Sequence, residues 1–237
     1  MGTDSSSCSK HGLVVSGHNQ MFMAGGEYPD GSASKSVWRF DPLINVWQEM
    51  ASMQTPRSEL GLALLDGHIY AIGGWEGSSR LDSVERYEID SNTWSPIASM
   101  KLVRVCPVFR APQVSFRTSL GKCLKKPFHI IQAVTSPAVV AYNGAVYVCG
   151  GAILEDGDGI DVVQRFDTQA AAESNDNGNG NGALSPASVG SWTQLASMLI
   201  PRSGSAACVL NGYIYVIGED RTEEMRMDIA KDRKIAE

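Results

Sequence analysis

The sequence predicts an all-β fold, an incomplete β-propeller of about three and a half four-stranded blades with two loop insertions. Three observations predict it. Glycine pairs recur at Gly25-Gly26, Gly73-Gly74 and Gly150-Gly151, the first two 48 residues apart, and Gly218 begins a fourth pair that Glu219 breaks. Each pair closes a short apolar run: Met21 to Ala24, Ile69 to Ile72, Val146 to Cys149, Ile214 to Ile217. Downstream, an aromatic (Phe40, Tyr87, Phe166), a tryptophan (Trp47, Trp94, Trp192) and a methionine (Met53, Met100, Met198) follow each intact pair in fixed order. Repetition of this kind marks a stacked or radial array of one supersecondary unit.

The first unit runs from Leu13 to Met53, the second from Arg57 to Met100, the third from Val134 to Met198, and half of a fourth follows. The second unit shows the internal plan, with β-patterned runs at Gly61–Leu65, His68–Ile72, Ser83–Tyr87 and Trp94–Ile97. Four short strands per unit make one propeller blade. Asp66-Gly67, Asn143-Gly144 and Asn211-Gly212 are hairpin dipeptides between first and second strands, because these residues tolerate positive φ. The glycine pair permits close backbone approach, and the aromatic and tryptophan fill the wedge between adjacent blades.

Two segments break the period. Met100-Lys101-Leu102 reads on directly into Ala133-Val134-Thr135, so residues 103–132 are extra; they carry six basic residues and no acid, leaving −12 for the rest of a chain of net charge −6. Their abrupt change of composition favours translated non-coding sequence over a functional basic loop for an anionic partner. Residues 168–190, rich in Asn, Gly, Ser and Ala, have the composition of a flexible linker. Residues 1–12 are expected to be disordered, and the charged tail 219–237 is expected to form an isolated helix or remain disordered, contributing no strand.

The pattern of a glycine pair, an aromatic and a tryptophan resembles the Kelch repeat, and "RSELGLALLDGHIYAIGGWEGSSRLDSVERYEIDSNTWSPIASM" is similar to the Kelch-like proteins. The resemblance implies a propeller that holds a protein or peptide on the face formed by the second-to-third loops and the inter-blade connectors. It places there Arg57, Ser58, Trp75, Glu76, Arg80, Thr135, Ser136, Glu155, Asp156, Asp158, Arg202 and Ser203. An arginine fork at Arg57 or Arg202 would grip a partner carboxylate, whereas the acidic loop residues favour a partly basic partner. The resemblance further implies a substrate-recognition role in an adaptor for a cullin-3 ubiquitin ligase, through BTB and BACK regions that this chain does not include. Actin binding is the alternative, since other Kelch proteins bind actin.

Composition narrows the remaining classes. An acidic chain of 20 Lys+Arg against 26 Asp+Glu argues against nucleic-acid binding. No run approaches 18 apolar residues and the start is polar, which argues against a membrane or secreted protein; the myristoylation-like Met1-Gly2 and Ser6 are a loose match. Five dispersed cysteines without a C-x-x-C pair read as reduced thiols of a cytoplasmic protein. Enzymes occur on Kelch propellers, but His11, His18, His68 and His129 are scattered, and no phosphate-loop, nucleophile-elbow or zinc-protease motif is present. No enzyme, cofactor or metal is expected; the acidic run at Glu155 to Gly159 departs from a calcium loop where Asp161 stands in place of glycine.

Overall fold

The computed structural model describes residues 8–100, 103–105, 129–131, 133–153, 159–171, 189–219 and 225–230. The first blade is an antiparallel meander of β1 (Gly12–Val15), β2 (Met21–Ala24), β3 (Val37–Asp41) and β4 (Val46–Met50). The second repeats it with β5 (Gly61–Leu65), β6 (His68–Ile72), β7 (Val84–Glu88) and β8 (Thr93–Ile97). A separate pair follows, β9 (Val103–Val105) with β10 (His129–Ile131), which joins the two ends of the first predicted insertion. The third blade contains β11 (Ala138–Tyr142), β12 (Ala145–Cys149), β13 (Val163–Ala171) and β14 (Val189–Gln194). The fourth sheet contains β15 (Ala206–Leu210), β16 (Tyr213–Glu219) and β17 (Met225–Ala230).

Three expectations are corrected. The tail adds a strand, because β17 pairs antiparallel along β16 from Glu219↔Met225 to Ile214↔Ala230. Order begins before Leu13: Ser9 and Glu27 exchange backbone hydrogen bonds of 3.0 and 2.7 Å, so residues 9–12 belong to the first blade. The strands flanking the second insertion extend into it, to Ala171 on one side and from Val189 on the other. Residues 1–7, the interior of the first insertion (106–128) and 172–188 lie outside the described residues.

The markers hold the blades together in a repeated way. Asp66-Gly67, Asn143-Gly144 and Asn211-Gly212 all have positive φ at both positions, the requirement of a type I′ hairpin turn. Phe40 pairs with Trp47, Tyr87 with Trp94 and Phe166 with Trp192, directly across β3–β4, β7–β8 and β13–β14, with ring centroids about 5 Å apart. Each inner tryptophan also reaches back one blade. Trp94 Nε1 donates to the Ala51 carbonyl at 2.8 Å, and Trp192 Nε1 to the Ala98 carbonyl at 2.9 Å.

The apolar clusters lie between blades. Phe22, Ala24, Val37 and Met53 pack on Ile69, Ala71, Tyr87 and Trp94. Tyr70, Ile72, Val84 and Met100 pack on Val146, Val148, Phe166 and Trp192, and Ala145, Tyr147 and Cys149 on Ile214 and Val216. Burial along the strands follows from this arrangement. β12 is buried at every position because it has neighbours on both faces, whereas β2 and β15 alternate, each having one covered face. Cys8, Cys149 and Cys208 carry free thiols, and burial pushes that of Cys149 up to about 12. Among the described residues no helix is long and apolar enough to cross a membrane.

Trp94→Phe deletes the donor to Ala51 and leaves a gap in the wedge where the larger indole stood. We expect a loss of more than about 1 kcal/mol in urea unfolding, the usual net worth of one hydrogen bond, with the cavity adding to it.

Candidate partner-binding face

The second-to-third loops and the connectors meet on one face. Trp75 exchanges backbone hydrogen bonds of 2.8 Å with Ser58, and Ala152 does so with Thr135 at 2.8 and 3.0 Å. Each glycine pair binds the connector leading to the next blade: Gly26 N donates to the Arg57 carbonyl, Gly74 N to that of Val134, and Gly151 N to that of Arg202, at 2.8 to 2.9 Å. A side chain at Gly25 would not fit. Its φ is +69°, and an added Cβ would lie 2.2 Å from the Arg57 carbonyl oxygen.

Arg57 and Arg202 are corrected as partner-gripping residues, because both are buried in the blade they enter. The Arg57 guanidinium donates to the Gly73 carbonyl at 2.8 Å, to the Ser83 carbonyl and hydroxyl at 2.9 Å each, and to Glu85 Oε1 at 3.0 Å. Glu85 also accepts from the backbone N–H of Gln54 at 2.7 Å and of Thr55 at 3.1 Å. This cradle ties the connector to two strands of its blade. Burial pushes the guanidinium below its usual value, and the Glu85 charge pulls it back. Arg202 repeats part of the plan, donating to the Gly218 carbonyl at 2.9 Å. Ser58 and Thr135 are buried as well, held in the bridges just described.

The third blade shows what the pair replaces. Val134 stands in the place of Arg57, and Gln164, two residues before its blade's aromatic, stands in that of Glu85. Both are buried, and the charge is absent from both positions together. In the fourth sheet Asp228 lies opposite Val216, the register position that Glu85 holds opposite Ala71.

Other predicted residues remain open to a partner. Trp75 and Arg80 are half-buried, with the Arg80 Cζ 5.6 Å from the centre of the Trp75 ring, and Glu76 is exposed beside them. Ser136 and Ser203 are half-buried. Glu155, Asp156 and Asp158 lie outside the described residues.

Sequence reasoning named Ser136 on this face but missed the rest of its inner rim. Lys10, Glu59, Ser136 and Gly204 occupy the same position before each first strand, and all four have positive φ. Glu59 N donates to the Lys10 carbonyl, Ser136 N to that of Glu59, and Gly204 N to that of Ser136, at 2.8 to 3.0 Å. One backbone chain of hydrogen bonds thus links all four blades. Lys10 Nζ lies 3.0 Å from both Glu27 and Glu59, and the Ser136 hydroxyl donates to Glu59 at 2.9 Å. Burial raises the Glu59 carboxyl, but the hydrogen bonds from Lys10 and Ser136 and the Lys10 charge outweigh it and hold the group below its ordinary value. The signal was available only as the fixed offset of these residues from the strand.

Four-stranded blades joined by glycine-pair docking and tryptophan wedges define an incomplete propeller of the Kelch type. A model of the Kelch motif matches residues 10–54 and 56–101. The chain is 34% identical to Kelch-like protein 35 of Mus musculus over 149 residues, 63% of this chain and 20% of that protein. It is 28% identical to Kelch-like protein 15 of Homo sapiens over a 239-residue alignment, 85% of this chain and 37% of that protein. The chain carries Kelch repeats, its blades resemble those of the Kelch-like proteins, and it spans little more than a third, at most, of the length of these relatives.

Two measurements check the site. Arg57→Val should cost about 3–5 kcal/mol in denaturant unfolding by stranding the Glu85 charge, whereas Arg57→Val with Glu85→Gln, copying the third blade, should recover most of the loss. Glu59 has a lowered value when folded, so its contribution is present above the unfolded carboxylate value of about 4.3 and lost as the pH falls through the folded one. The stability gap between the native chain and Glu59→Gln should therefore be full at neutral pH and close on acidification.

Proposed function

We propose that the chain is a protein-binding module that recognises the substrate of a Kelch-like adaptor for a cullin-3 ubiquitin ligase. The observation that carries this reading is the common face on which loops and connectors of successive blades converge around the Lys10–Glu59–Ser136 rim. Trp75 and Arg80 offer an aromatic and a guanidinium, residue types enriched where partners bind tightly. Glu76 is exposed beside them and suits a segment bearing Lys or Arg, whereas Glu27 and Glu59 are already paired with Lys10. Contact with cullin-3 falls to BTB and BACK regions outside these residues, and the reading places the protein in the cytoplasm. It requires no cofactor and no chemical step.

The test is co-precipitation from cells with the native chain and with Trp75→Ala/Arg80→Ala. We expect a protein captured by the first and lost with the second, whose turnover slows when cullin-3 is depleted. Capture indifferent to the substitutions, or turnover indifferent to cullin-3, would overturn the reading.

A further inference from the structure

The second blade carries on its loop face a cation and an anion that do not pair with each other. Trp75 and Arg80 stand opposite one another in an antiparallel bridge, and Trp75 is bridged in turn to Ser58, so the base of this loop is fixed to the connector. The bridge lays the Arg80 guanidinium over the indole. Among the described residues no acceptor meets an Arg80 donor, and Nε is buried without one. Glu76 lies four residues earlier in the same loop. The hydroxyls of Ser79 and Ser78 donate to its Oε1 at 2.8 and 3.3 Å, and Glu76 N donates to the Ser79 carbonyl at 3.1 Å across Gly77, whose φ is +106°. This turn holds the carboxylate apart from the guanidinium.

Neither charge is needed by the fold. The bridge positions of Trp75 and Arg80 are held by Glu27 and Ala33 in the first blade and by Ala152 and Gly159 in the third. The loop belongs to the blade between these two, which is packed on both faces. The rim beside it behaves differently: Lys10 is satisfied by Glu27 and Glu59 together, so those charges compensate one another within the protein.

We propose that this loop reads a bipolar peptide segment, with an Asp or Glu carboxylate on Arg80 and a Lys or Arg side chain on Glu76. The proposal rests on the reading of this face as a protein-binding surface and names the chemistry it selects. A guanidinium fork matches a carboxylate in shape and charge, and stacking on Trp75 sets its plane before the partner arrives, which lowers the cost of ordering it. One free guanidinium with an acid four residues away suits a monoanion better than the dianion of a phosphate, which Glu76 would repel. Opposite charges at two fixed points also discriminate, because a segment bearing two acids or two bases sets like charges together at one of them.

The test is binding of the 237-residue chain to labelled short-peptide pools, read by fluorescence anisotropy. Each pool sets two chosen residues at varied spacing among uncharged ones: Glu with Lys, Gln with Lys, Glu with Gln, or phosphoserine with Lys. We expect the Glu–Lys pool to bind about tenfold more tightly than either pool lacking one charge, the worth of a charge-assisted hydrogen bond. Arg80→Ala should erase the preference for Glu and keep that for Lys, and Glu76→Gln should do the reverse, a crossed pattern that loss of folding cannot produce. Should Arg80→Ala fail to fold, Glu76→Gln alone still tests the pairing. Charge-blind binding, no binding of any pool, a preference for Glu that survives Arg80→Ala, or tighter binding of the phosphoserine pool would each overturn the proposal. Charge-blind pools beside a cellular partner that Trp75→Ala/Arg80→Ala loses would overturn it and leave the broader reading standing, whereas the crossed pattern beside turnover indifferent to cullin-3 would support it and overturn that reading.

Discussion

Each blade of this protein is apolar on both faces, and a four-stranded sheet has no means of covering either by itself. Stability therefore comes from stacking: the rings and branched side chains of one blade fill the space against the next. The inner β12 is buried along its whole length while the outer β2 and β15 alternate. The same constraint accounts for the tryptophans. Their bulk fills the wedge, and their indole N–H groups at Trp94 and Trp192 satisfy backbone carbonyls of the preceding blade. Repeat arrays gain their stability from such neighbour terms rather than from any single unit.

The junctions are fastened at the connectors, where a glycine pair on one blade accepts the chain entering the next. Positive φ at Gly25, Gly73 and Gly150 turns the following N–H toward the connector carbonyl, and a Cβ at the first glycine would lie 2.2 to 2.7 Å from that oxygen. Arg57 extends this fastening into the blade by spending its donors on Gly73, Ser83 and Glu85. A buried ion pair is costly to desolvate and tolerable only when its hydrogen bonds are satisfied. The neutral Val134 and Gln164 of the third blade show that the junction accepts the alternative. With its arginines turned inward, the loop face is left to Trp75, Arg80 and the Lys10–Glu59 rim.

Much of the fold was legible because its markers are chemically unambiguous. The runs His68–Ile72 and Gly61–Leu65 match β6 and β5 residue for residue, since turn dipeptides and a glycine pair bound them. β17 was not legible, because the fourth sheet has Glu219 in place of the second glycine and Ala230 at the register of the blade aromatic. The candidate site was legible in its loops and misleading in its arginines. The motif gives their spacing, but a guanidinium beside a turn reads alike whether it faces water or its own blade.

The sequence by itself determined the repeat, the order of the strands within a blade and the loops that share a face, because alternation, turn chemistry and spacing are local properties. Only the tertiary structure decided which polar residues are fastenings and which are free. That choice depends on the neighbouring blade: Glu85 holds Arg57 in a dry cradle, Glu59 bridges Lys10 and Ser136 from successive connectors, and Trp47 stands open where Trp94 is covered. Burial is set by what packs alongside, and in a propeller the packing partner lies a whole repeat away in the chain.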